Sequence, residues 1–265
     1  MPAGQSVLLY ETRENGRVAV ITINRPESMN SMNRELIAEM GNAWQRFRDD
    51  EECWVAIWTG AGDRAFCSGQ DLKERAELEQ QGGDAPYRGR VRMLPIPEGE
   101  GIWKPTIAAI NGYAIAGGWN LAEQCDIRIA AEHAEMGIAE VRWNQAAGFA
   151  GFLTRQMTLA HALEITLWGD RRITAQRAYE MGWVNRVVPK EKLMDEAMDW
   201  ATRMLSLAPQ AVRNLKELIY RGHTMTQMEL SAFSQALEYN LRGMEDSVEG
   251  PLAFAEKRQP VFKNR

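Results

Sequence analysis

Apolar positions along the chain switch between a period of two and a period near four. Val7 to Glu11 and Val18 to Ile23 alternate or run apolar on either side of Glu14-Asn15-Gly16, the pattern of a strand pair joined by a turn. From about Met32 to Arg48 the spacing is helical. Leu36, Ile37, Met40, Trp44 and Phe47 share one stripe, and Asn30-Ser31 offers an N-terminal cap. Trp54 to Thr59 and Thr106 to Ile110 are short uninterrupted apolar runs, as expected of strands buried on both faces. Between them, residues 73–103 are polar and punctuated by Pro86, Pro95 and Pro97. That stretch reads as a mobile flap or long loop with helical pieces.

Asn111-Gly112 breaks the second run, and Gly117-Gly118 opens a short helix, Trp119 to Gln124, before a strand over Asp126 to Ala131. Helical patterns follow at 149–159, 161–168 and 174–181, then a short strand from Trp183 to Val188. Beyond Lys190 the chain is helical almost to its end, over about 192–207, 208–221, 225–243 and 244–256. The expected organisation is an α/β body over 1–190 and a helical region over 191–265.

Composition narrows the function classes. A net charge of −5 argues against binding a nucleic-acid backbone. No apolar run approaches about 20 residues, so no membrane span is expected. The amino-terminal residues lack a signal-peptide pattern. Cys53, Cys67 and Cys125 have no metal-ligand spacing and read as small buried hydrophobes of a reducing, cytoplasmic setting. His133, His161 and His223 are too scattered for a zinc site or a histidine triad, so no metal and no separate cofactor are expected.

The candidate chemistry lies around the glycine pair. Glycines at a helix start let backbone approach a ligand and leave unpaired N–H groups aimed at negative charge. Glu140 follows in the next turn but one. Oxyanion donors beside an acid/base carboxylate suit chemistry next to a carbonyl.

Several longer stretches carry a family resemblance: Asn24-Arg-Pro with Asn30-Ser-Met; Ala65-Phe-Cys-Ser-Gly-Gln-Asp-Leu72; Lys104 to Gly118; Cys125-Asp-Ile-Arg-Ile-Ala-Ala131; and the tail Phe254 to Lys263. In that order and over nearly the whole chain, they resemble the crotonase (enoyl-CoA hydratase/isomerase) superfamily. The resemblance implies a ββα spiral with a helical C-terminal region that builds homotrimers or homohexamers. It also implies an acyl-coenzyme A thioester as substrate, with coenzyme A present only as part of it. The oxyanion donors would be the N–H groups of Ser68 and Gly117, worth about 3–4 kcal/mol each to the barrier. Coenzyme A would lie along Ala65, Cys67, Asp71 and Leu72, near Lys263, with Arg25 as a phosphate contact.

Hydratases of this family carry two glutamates, and here the first position is Asn120 while the second is Glu140. Asparagine cannot exchange protons but can orient water. Glu140 alone can shuttle a proton between C2 and C4, as in an isomerase. It can equally activate a water held by Asn120 and the N–H of Gly148, which gives the hydratase reading. A weakened acyl-CoA-binding subunit is the reading from another class. Glu123 shares a helix face with Asn120 and is expected either at the surface or in the acyl pocket. Trp119 and Trp143 flank the catalytic positions and suggest a pocket shaped for a cyclic, aromatic or branched acyl group.

Overall fold

The computed structural model describes residues 6–81 and 101–265. The strands Leu8–Arg13 (β1) and Val18–Ile23 (β2) pair antiparallel, and the helix Arg34–Asp49 (α1) follows. The chain then repeats one pattern: a strand, a second strand in another sheet, and a helical piece. The first turn is Val55–Gly60 (β3), Ala65–Cys67 (β4) and Leu72–Gln80 (α2). The second is Thr106–Ile110 (β5), Tyr113–Ile115 (β6) and Gly117–Gln124 (α3). The third is Ile127–Ala131 (β7), Glu135–Gly137 (β8) and the 3-10 turn Glu140–Trp143.

Downstream come Leu159–Leu167 (α4), Ile173–Thr174 (β9), Ala175–Glu180 (α5) and Arg186–Val188 (β10). The helices Leu193–Leu205 (α6), Pro209–Gly222 (α7), Gln227–Leu241 (α8) and Glu245–Ala255 (α9) complete the chain. One sheet has the order β1-β2-β3-β5-β7-β10, and the other β4-β6-β8-β9. The pairs β4–β6 and β6–β8 are parallel, so these strands end on one edge.

The uninterrupted apolar runs have a direct cause. In β3 and β5, Ala56, Trp58, Ala108 and Ile110 face one core, while Val55, Ile57, Ile107 and Ala109 face another. The second core is closed by Leu193, Ala197 and Ala201 of α6. The expected boundary at 190 therefore cuts through a packed layer: α6 belongs with the sheet, because its small residues let it lie directly on the strands.

Other expectations shift locally. Asn33 rather than Asn30-Ser31 caps α1, accepting from the Leu36 N–H at 2.9 Å. Residues 148–155 form a 3-10 helix instead of an α-helix over 149–159. Of the polar stretch 73–103, the residues to Gln80 continue α2, and positions 82–100 lie outside the described residues. The short strands β4, β6 and β8 have too few residues for a period to register in the sequence.

The early motifs form a polar clamp. Arg25 donates from both Nη atoms to Asp71 Oδ2, each at 3.1 Å, and also to the Ser31 carbonyl. Ser31 Oγ donates to the same carboxylate at 3.2 Å. Asn30 donates to the Ala65 carbonyl at 2.7 Å. Burial pushes the Asp71 carboxyl up, but its hydrogen bonds from Arg25 and the Glu74 N–H outweigh that and leave it below the usual range. Asp71→Ala should destabilise the fold by about 3–5 kcal/mol, since it strands a buried guanidinium. Urea unfolding measures this, and the Arg25→Met/Asp71→Leu pair should recover much of the loss.

Candidate active site

Three loops leave the parallel edge of the second sheet together: 68–71 after β4, 116–118 after β6, and 138–140 after β8. Ligands of such sheets bind outside the carboxyl ends of the strands. Contact between the first two loops is closer than any side chain permits. A Cβ on Gly118 would stand 1.9 Å from the Cys67 carbonyl oxygen. One on Gly69, where φ is +89°, would stand 3.2 Å from the Gly117 nitrogen. Ala116 adopts φ 56° and ψ −119°, a strained conformation for a residue with a Cβ. Its N–H is held by the Gly137 carbonyl at 2.8 Å, which ties this turn to β8.

The turn places Gly117 at the first position of α3, where its N–H has no intrahelical partner. Ser68 does not supply the second donor, because its N–H is spent on the Met29 carbonyl at 3.1 Å. Two residues on, the bonds Met32 N–H to Gly69 O (2.8 Å) and Asp71 N–H to Met32 O (2.9 Å) form a parallel bridge. In such a bridge the N–H of Gln70 points away from Met32. Gln70 is thus the residue of this loop with a backbone donor to offer beside Gly117. Gly69, with its positive φ, turns the chain there.

Glu140 is buried, with Oε2 lacking any partner. Burial pushes its carboxyl above the usual range, and the N–H groups of Glu140 and Ala139 offset this only in part. Asn120 is also buried, and its Oδ1 accepts from Gln124 Nε2 at 3.1 Å. With its carbonyl engaged, Asn120 has its NH2 left to offer. Gly148 opens the 3-10 helix 148–155, where a first-turn N–H is likewise unclaimed by the helix.

Other expected site residues have different surroundings. Arg25 and Asp71 hold each other in the clamp, so neither charge is turned toward a phosphate. Ala65 and Cys67 are strand residues sealed in the core, while Leu72 is partly open to solvent at the start of α2. Burial pushes the thiols of Cys67 and Cys125 up to about 12, which leaves them inert. Lys263 pairs with Glu245 at 3.4 Å on the last helix. Trp119 points into the core, stacked on Trp183 with ring centroids 3.8 Å apart, and does not line an acyl pocket. Trp143 is 52% exposed beside Arg142, so it does not shape a pocket within this chain. Glu123 is not at the surface. It is 5% exposed and lines a cavity with Arg128, apart from Glu140.

The family model described as enoyl-CoA hydratase/isomerase matches residues 13–265, and the chain belongs to that family. It is 38% identical to an (E)-benzylidenesuccinyl-CoA hydratase of Thauera aromatica, over 94% of this chain and 96% of that one. It is also 38% identical to a carnitinyl-CoA dehydratase of Escherichia coli K12, over 97% of this chain and 98% of the relative. The crystal structure of an enoyl-CoA hydratase from Bacillus anthracis superposes with a TM-score of 0.89 at 35% identity, over 98% of this chain and all of that one. The α/β crotonase fold follows from these relationships together with the two sheets and the helical end.

Gly118→Ala should force the 68–71 and 116–118 loops apart, because the opposing atom is backbone and cannot rotate away. The expected cost is about 1–3 kcal/mol or more of stability. Loss of thioester binding should accompany it, checked by thermal melting and titration calorimetry. The same change at Gly41, where a Cβ meets nothing within 4 Å, should be harmless.

Proposed function

We propose that the protein reversibly adds water to a 2-enoyl-CoA, with Glu140 as its acid/base group and the N–H groups of Gly117 and Gln70 as oxyanion donors. The single observation that carries this reading is the buried carboxyl of Glu140, one oxygen of which has no partner and is open to a proton. The Asn120 NH2 and the N–H of Gly148 are the donors available to hold a water, and one of them on its oxygen leaves the other lone pair free to attack. Glu140 takes a proton from that water as its oxygen bonds to C3. The electron pair of the double bond moves onto the thioester oxygen, where Gly117 and Gln70 hold the enolate. Glu140 then returns the proton to C2. One carboxylate suffices because the proton it removes is the proton it delivers. The names of the two relatives, a hydratase and a dehydratase of acyl-CoA compounds, support the same reaction class.

Incubation with a panel of 2-enoyl-CoA thioesters in heavy-oxygen water tests the reading. Gain of one labelled water is expected. A shift of the double bond without label would make the enzyme an isomerase using the same glutamate. Glu140→Gln should lower kcat by about 10²–10⁴-fold. Because Glu140 acts ionised and its folded pKa is raised, kcat/KM should fall as pH drops through a value above about 4.3, the ordinary glutamate figure. Loss of that acid limb in Glu140→Gln would assign it.

The reading extends to assembly. Leu163, Leu167 and Trp168 on and after α4, and Phe254 on α9, are large apolar side chains left open to solvent in a single chain. Copies of the chain would cover them. Trimers or hexamers are expected by light scattering, and a monomer at micromolar concentration would contradict this. Among the described residues no helix is long and apolar enough to cross a membrane.

A further inference from the structure

A cavity of about 580 Å³ lies beyond the far end of α3, between the spiral and α7. Glu123, Gln124 and Arg128 line one side of it, and Phe152, Leu215 and Ile219 give it apolar walls. Its volume falls in the range of small-molecule sites, about 300–1,000 Å³. Gln124 connects the cavity to the candidate catalytic position, since it lines the one and donates to Asn120 at 3.1 Å. Three residues of helix, about 4.5 Å, take the chain from Asn120 to Glu123. A group bound near Asn120 and extending along α3 would therefore meet Glu123.

Glu123 is the unexplained group in this wall. It is 95% buried by its exposure of 5%, and neither carboxylate oxygen has a hydrogen-bond partner. Its charged neighbours are otherwise occupied. Arg128 donates to the carbonyls of Trp183 (2.5 Å) and Cys125 (2.8 Å). Asp126 is held by Lys216 at 2.8 Å and by the Tyr220 hydroxyl at 2.9 Å. Leaving a buried carboxyl unpaired costs stability and serves no packing purpose that an apolar side chain would not serve better. Burial pushes the carboxyl up to about 8, with Arg128 pulling the other way.

We infer that Glu123 is a specificity-determining residue that binds a hydroxyl carried on the distal part of the acyl group. The inference rests on the acyl-CoA reading given above. A hydroxyl can donate to the carboxylate or accept from the neutral acid, so it satisfies Glu123 in either form. A cationic substituent is disfavoured, because Arg128, Arg155, Lys216 and His223 face the same cavity. The apolar walls suit a ring or branched skeleton in place of a thin chain.

The test uses the full-length protein in its own assembly and two saturated thioesters that cannot react, 3-phenylpropanoyl-CoA and 3-(4-hydroxyphenyl)propanoyl-CoA. Calorimetry should show the hydroxylated thioester binding about five- to tenfold tighter, the worth of one buried hydrogen bond. Glu123→Leu should bring that ratio to about one, and the isosteric Glu123→Gln should lower it without abolishing it. No preference in the wild type, or a ratio unchanged in both variants, would overturn the inference. An unchanged ratio with weakened melting would give Glu123 to the subunit contact instead. If neither thioester binds while free coenzyme A also fails, the acyl-CoA reading falls with it, whereas binding of both at equal affinity defeats only the role of Glu123.

Discussion

The site depends on a backbone-to-backbone contact that leaves no room for a side chain. Gly118 sits where any Cβ would strike the Cys67 carbonyl, and Gly69 where one would press on the Gly117 nitrogen. This contact brings the end of β4 against the start of α3, which is the arrangement the proposed oxyanion donors at Gly117 and Gln70 require. Donors fixed in this way need no reorganisation when charge develops, which is why backbone groups serve well for an oxyanion. The strain at Ala116 belongs to the same arrangement, because the chain must reverse sharply between β6 and α3 while staying bonded to Gly137.

Around that contact the polar residues of the early motifs are scaffold. Arg25, Asn30, Ser31 and Asp71 spend their hydrogen bonds on one another and on the backbone of 61–71. The result is a loop whose N–H at Ser68 is consumed and whose N–H at Gln70 is presented. A buried ion pair of this kind contributes specificity of geometry more than net stability. Removing one partner is costly for a different reason: the other is left charged and dry.

The carboxylates inside the molecule divide by what surrounds them. Asp71 and Asp126 are matched by cations and donors, while Glu140 and Glu123 are desolvated and lack full partners. Unsatisfied buried acids are expensive, and Glu123 lines a cavity where a ligand group could complete it. Asn120, also buried, carries no charge and adds no further acid to the interior.

How much was legible beforehand follows from the range of the forces involved. The sequence by itself determined the main-sheet strands, the stripe of α1, the glycine pair opening a helix, Glu140 as the acid/base candidate and the family, because those signals are local periods or ordered motifs. It could not show that Asn33 rather than Asn30 caps α1, since Asn30 is drawn away by carbonyls 31 and 35 residues distant. Nor could it show that the Ser68 N–H is spent on the Met29 carbonyl, a partner that only tertiary packing supplies. The stack with Trp183, far along the chain, draws Trp119 into the core and away from any pocket. The burial of Glu123 and the cavity before it were equally out of reach, since α7 forms the opposite wall. Local pattern wrote the elements; only their packing decided which polar groups were spent and which were left to act.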